Sequence, residues 1–198
     1  MIQTRVLSDL EIEPVSLEEV KAFMEIDFDD FDTLLTRLIK QARISSEIYT
    51  GLSYGKKEIE LVSNQSRVQI PNGPFVELLS IVNYKDNVAI SAENYHLFGL
   101  DRPVLTVGLP ELPLNYDPYF DILGSALRTF NEWKITYNAG YYDTATDEST
   151  LPEDLKSAIC MRVETAFKYR ADATDEQVNK AITTSTDIEN AYRVTPIM

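Results

Sequence analysis

Apolar positions along the chain change period twice. They follow helical spacing up to about residue 50, strand-like alternation between about 56 and 140, and helical spacing again from 151. Residues 1–14 precede the first helical stretch and read as an extended arm, with Ile2, Val6, Leu7, Leu10 and Ile12 as scattered apolar anchors. In Pro14-Val15-Ser16-Leu17-Glu18-Glu19-Val20, Ser16 and Glu19 fit a capping box and Val15 can staple against Val20. This predicts a short helix ending near Met24. A long helix follows over about 30–50. Its one apolar face is expected to hold Phe31, Leu34, Leu35, Leu38, Ile39, Ala42, Ile48 and Tyr49. Asp29 or Asp30 is placed to cap it, and Gly51 to end it in a left-handed conformation.

The middle of the chain predicts short strands at KEIELV, SRVQIP, FVELLSIVNY, VAI, NYHLFG, PVLTVG and WKITYN, separated by Ser63-Asn64, Pro71-Asn72-Gly73-Pro74 and Asp86-Asn87. An antiparallel meander or small sandwich inserted between helices is expected. Leu109–Asn131 is rich in Pro, Tyr and Phe and reads as a long loop with a helical turn at 122–127. The strand WKITYNAGYYD leads directly into LPEDLKSAICMRVETAFKYRA, an amphipathic helix over 151–171 with Thr150 and Glu153 as a second capping box. The remaining tail is polar and Thr/Ser-rich. It is expected to be extended, with at most one helical turn near Val178 and Ile182.

Composition narrows the function more than the fold. In 198 residues, 44% hydrophobic content suffices for a core, while a net charge of −14 and pI near 4.4 oppose a duplex-binding surface. The acidic balance favours solubility and repels nucleic acid and anionic membranes. The single cysteine, Cys160, excludes an internal disulfide and a cysteine zinc cluster, and it reads as a packing residue. The single histidine, His96, lies in a predicted strand and removes two-histidine metal sites. No phosphate loop, HExxH, EF-hand loop or nucleophile elbow occurs. The cluster Asp27, Asp29, Asp30, Asp32 lacks the glycine and distal glutamate of a calcium loop and is read as helix capping. No apolar run is long enough to cross a bilayer, and the N-terminus has no signal-peptide core, so synthesis in the cytoplasm and no membrane partner are expected. No catalytic, cofactor or metal site is expected.

Taken in order, several blocks resemble one family. PVSLEEVKAFMEID with DTLLTRLIKQARISSEIYTG resembles the N-terminal helical pair of head–tail connector (adaptor, or head-completion) proteins of long-tailed bacteriophages. IPNGPFVELLSIVNYKD is similar to that family's turn and strand ending in Tyr-x-Asp, and WKITYNAGYYD with LPEDLKSAICMRVETAFKYR to its strand, Ala-Gly-Tyr turn and helix. DIENAYRV resembles its closing Tyr-Arg segment. The order and spacing of these blocks carry the resemblance from Pro14 onward. The 109–131 stretch and the polar extension 172–186 depart from the pattern.

The resemblance implies an α+β fold: a small α-helical bundle with an inserted antiparallel β-rich subdomain and an extended C-terminal tail. The corresponding divisions are 1–55, 56–140, 141–171 and 172–198. It further implies a virion protein of the neck that self-associates into a ring, dodecameric by family resemblance. The ring would lie beneath the portal protein, extend the DNA channel and dock a downstream stopper or tail protein. In that family the C-terminal segment reaches toward the portal. The matching positions are Tyr192, Arg193 and Val194, with Ile197 and Met198 beyond the match as anchors. A stopper or tail-completion protein of the same neck, a metal-dependent enzyme using a carboxylate pair, and a regulatory binding module are the alternatives.

Overall fold

The structure, a computed structural model, describes residues 2–85, 87–107, 132–143, 146, 148–169 and 175–194, and of 175–182 the backbone alone. It divides into two compact units. One contains residues 1–9 and 57–139, the other 10–56 and 140–198. The expected 109–131 loop, with its helical turn, lies outside the described residues.

In the first unit, β1 (Ile2–Ser8), β2 (Lys57–Ser63), β7 (Trp133–Ala139) and β4 (Phe75–Asn83) form an antiparallel sheet in the order β1-β2-β7-β4. A second antiparallel sheet orders β3 (Arg67–Gln69), β6 (Val104–Val107) and β5 (Tyr95–Phe98) as β3-β6-β5. Residues 2–8 of the expected N-terminal arm are therefore an edge strand, with Thr4 opposite Leu61 and Arg5 opposite Glu60. Arg5 donates to Glu60 at 3.0 Å. Strict alternation in β2 buries Ile59 and Leu61 while Glu58 and Glu60 face outward. Ile135 and Tyr137 of β7 join them against Val68, Leu105 and Val107 of the smaller sheet and Ile70 just after β3. The insertion is thus a sandwich and not a meander, because β7, last in sequence, pairs between β2 and β4.

In the second unit, α1 (Leu17–Phe23), α2 (Asp32–Thr50) and α3 (Glu153–Lys168) surround a core of Val15, Val20, Leu35, Ile39, Leu155, Ile159 and Val163, and α4 (Asp175–Asn190) packs on α3 and α2. Ser16 and Glu19 form the predicted capping box: Glu19 N–H donates to Ser16 Oγ at 3.1 Å, and Ser16 N–H to Glu19 Oε2 at 2.7 Å. Gly51 ends α2 at φ 74°. The two other predicted caps are corrected. Phe31, without a side-chain bond, is the N-cap of α2. The aspartates below it instead hold Lys21, whose Nζ donates to Asp29 at 2.6 Å and Asp32 at 2.9 Å. Those bonds, Asp29 first, raise the Lys21 pKa above its ordinary value. Helix α3 begins after Pro152 with no side-chain cap. A residue before proline is kept out of the helical region, so Leu151 cannot be the first helical residue that a Thr150 cap would require. The tail also differs from expectation, since residues 175–190 form a sixteen-residue helix.

In the helical unit the three places where the chain departs lie together. A Cβ on Gly55 would sit 2.5 Å from Leu10 Cδ2, and one on Gly140 would sit 1.9 Å from Gly55 O. Gly140 also has φ 135°, a conformation that strains any L side chain. Gly140→Ala is therefore expected to lower unfolding stability by at least about 3 kcal/mol, read from urea denaturation. Gly51→Ala, with φ 74° but only ordinary van der Waals contact for its Cβ (Val194 Cβ at 3.8 Å), should cost about 1 kcal/mol.

Candidate functional site

The expected contact residues at the C-terminus are placed by a polar seam between α2, α3 and α4. One strip of α2 presents Ser46, Tyr49 and Thr50, at the three- and four-residue spacing that puts side chains on one face. Glu189 of α4 is fully buried, and Arg162 of α3 meets it as a fork, Nε to Oε1 at 2.9 Å and Nη2 to Oε2 at 2.5 Å. Ser46 Oγ donates a third bond to Glu189 Oε1 at 2.5 Å. Tyr49 Oη donates to Asn190 at 2.6 Å. A buried carboxylate tolerates removal from water only with such partners, and here three donors supply them.

The segment after α4 is tied down by the same strip. Val194 N–H donates to Thr50 O at 2.8 Å, beside the αL turn at Gly51. The Tyr192 hydroxyl donates to Asp154 Oδ2 at 3.3 Å, and its pKa is raised by burial and then by the Asp154 carboxylate. The exposed Arg193 guanidinium lies 5.0 Å from the Tyr49 ring centroid, and that of Arg162 at 5.9 Å, within cation–π range. Tyr192 and Val194 thus fix the tail to its own unit, and Arg193 is the outward-facing member of the three. Ile197 and Met198 lie outside the described residues.

A second buried cation organises the N-terminal side of this unit. Arg43, fully buried, donates through Nε and Nη2 to Glu13 at 2.6 and 3.2 Å and through Nη1 to Glu47 at 2.9 Å. Glu47 Oε1 also accepts from Tyr54 N–H at 2.9 Å. Tyr54 is wholly buried, and burial raises its phenol pKa. These polar residues were missed in the sequence because the α2 face was assigned by apolarity alone. The available signal was spacing: Ile39, Arg43, Ser46 and Thr50 recur every three or four residues. Ile48 lies nine residues from Ile39, which at about 100° per residue puts it on the opposite face. It is 79% exposed, not a core residue.

A cleft of about 280 Å³ runs beside the seam, bordered by Leu38, Ala42, Arg162, Thr165, Tyr169 and Ser185. Among the described residues no cluster of His, Cys, Asp and Glu could hold a metal ion, and no helix is long and apolar enough to cross a membrane. Cys160 is buried, and burial raises its thiol pKa to about 11. His96 is exposed on β5.

Residues 14–94 match the family model described as phage gp6-like head-tail connector protein, so the resemblance carried by the N-terminal helical pair and first strands is to that family. No curated relative matches the chain. Among solved structures, a chain from "Neck of empty GTA particle computed with C6 symmetry" superposes with TM-score 0.69 at 14% identity, covering 99% of this chain and 97% of that one. Chains from "Virion of native gene transfer agent (GTA) particle" (16% identity, 98% and 97% covered) and "Neck of native GTA particle computed with C12 symmetry" (14% identity, 99% and 97% covered) each give 0.66. Likeness at this identity establishes a shared α+β fold along nearly the whole chain.

The seam gives a direct test. Arg162→Met strands the Glu189 carboxylate and should cost about 3–5 kcal/mol in urea unfolding. Pairing it with Glu189→Leu should recover most of that loss, because no buried charge then lacks a partner.

Proposed function

We propose that this chain, matched over residues 14–94 to the head-tail connector family, is a structural protein of a phage-type neck. In this reading copies form a ring beneath the portal, continue its DNA channel and present a docking surface to the next neck or tail component. The observation that carries it is twofold agreement: the helical pair and first strands match a connector family, and the fold over 99% of the chain is that of a solved neck protein. The C6 and C12 symmetries of the two neck neighbours support a symmetric ring, twelvefold in this reading. Net charge of −14 suits a conduit wall, since a basic lining would retain the exiting DNA. The protein acts in this reading by assembly, in the virion, without a cofactor or a catalytic step.

The portal contact is assigned to the C-terminal segment, with Arg193 exposed on Tyr49 and with Ile197 and Met198 beyond it. The test is co-sedimentation with the portal ring of the same phage, comparing the full chain with one ending at Val194. Ending there keeps Glu189 on Arg162 and the Val194–Thr50 bond, whereas an earlier truncation would disturb the helical unit as well. The full chain is expected to pellet with portal, and the shortened one to bind at least tenfold more weakly. Equal binding by both would move the portal contact off residues 195–198. Failure of both, with binding to a tail component instead, would replace this reading with a stopper or tail-completion protein.

A further inference from the structure

Two exposed surfaces of the helical unit carry apolar side chains in opposite charge settings. The first is the solvent face of α2. Arg37, Lys40, Ile44 and Ile48 recur at three-, four- and seven-residue spacing, on the side away from buried Leu35, Ile39, Ala42 and Ser46. All four are exposed, Ile44 at 38% and Ile48 at 79%. A surface helix ordinarily places polar residues there, so two exposed isoleucines one turn apart, with Arg37 and Lys40 on the N-terminal side of them, depart from that pattern.

The second surface is the α1–α2 corner. Phe23 is 43% and Phe28 51% exposed, among the exposed carboxylates Glu25, Asp27 and Asp30. The corner is firmly built. Phe28 meets Phe31 edge-on at 5.7 Å, and Phe31 meets Phe167 at 5.2 Å. Lys21 clasps Asp29 and Asp32 beneath it, and Ile26 N–H donates to Lys21 O at 2.9 Å. Glu25 closes the turn at φ 56°, a strained conformation for a non-glycine residue. Aromatics held rigid before contact form good anchors, since little side-chain freedom is lost on docking.

We propose that the basic-apolar face of α2 in one copy seats on the acidic-aromatic α1–α2 corner of the next copy. This deepens the neck-ring reading and rests on it. The occupant is a second copy because one surface sets cations beside exposed isoleucines and the other sets carboxylates around exposed phenylalanines, so the two are complementary in charge and both apolar. Both belong to one compact unit, so every copy offers one of each. Contact between two different patches is heterologous, and repeating it closes a ring when the rotation allows.

Cross-linking in the portal-bound assembly tests the contact. Ile48→Cys and Phe28→Cys are made in separate full-length chains, one carrying a size tag, then mixed, bound to portal and treated with a short bismaleimide. The native thiol, Cys160, is buried and will react slowly. Positions 28 and 48 of one chain are separated by most of α2, roughly 25 Å at 1.5 Å per residue, beyond the linker's reach. The expected product is the mixed dimer, at least tenfold over either single-variant dimer. A chain carrying both cysteines should give a ladder of higher multimers. Asp27→Cys replaces Phe28→Cys if the latter fails to fold. Dominant Ile48–Ile48 dimers would overturn the proposal in favour of a back-to-back contact. A complex that pellets with portal but yields no cross-link would overturn it and leave the neck reading standing. Absence of any portal complex would remove both.

Discussion

The close approach of Gly140 to Gly55 is the constraint on which the two-unit layout depends. The chain passes between the units three times, after Asp9, after Lys56 and after Ala139. In the helical unit the flanking residues Leu10, Gly55 and Gly140 are packed so tightly that neither glycine has room for a Cβ without displacement. In the sheet unit the corresponding ends are also together: Lys57 pairs with Ala139, and its ammonium lies 3.4 Å from Asp9. A long insertion costs a host domain little when its two ends already lie side by side, because loop closure is then built into the host. Here a third strand joins them, so β1 is bound to the insertion although it precedes the helices.

Buried charge decides how the helical unit closes around α2. Arg43 and Arg162 lie on different helices, yet each is paired in the interior with a glutamate distant in sequence, Glu13 for one and Glu189 for the other, and Arg43 also with Glu47 one turn along its own helix. Such pairs add little net stability over well-packed apolar groups, but a mispaired arrangement leaves a buried charge without a partner. They act here as registration devices. Arg43 fixes the segment before α1, and Arg162 with Ser46 fixes α4, whose polar composition would otherwise define its position weakly.

The sequence was most legible where one local rule had no competitor. The Ser16–Glu19 box, the Gly51 stop and the period-two strands each follow from chemistry within a few residues, and the alternation in β2 identified its buried face. Legibility failed where a non-local partner intervened. Lys21 took Asp29 from its expected capping role, and Pro152 displaced the start of α3 past Thr150. Helix α4 does not declare itself in the pattern because the buried side chains among its described residues, Ser185 and Glu189, are polar, and Glu189 acquires its meaning from Arg162 and Ser46. For the candidate site, Tyr192–Val194 could be singled out by resemblance, but their hold on Asp154 and Thr50 depends on helix packing that one sequence does not display.

The misassignment of Ile48 is informative in the same way. Counting apolar residues over nineteen positions of α2 gave one broad face, whereas the structure divides them between a core side and a solvent side. A protein of net charge −14 has strong reason to resist association with its own copies, since like charges repel over a Debye length of about 10 Å at moderate salt. A contact between copies must therefore place local cations against local anions and exclude water with apolar groups at its centre. Arg37 and Lys40 are among only 18 Lys and Arg residues in the chain, and they share the solvent face of α2 with the exposed isoleucines. Global repulsion with a locally complementary patch favours order over avidity: copies remain dispersed until a template raises their local concentration, and then they meet in one orientation.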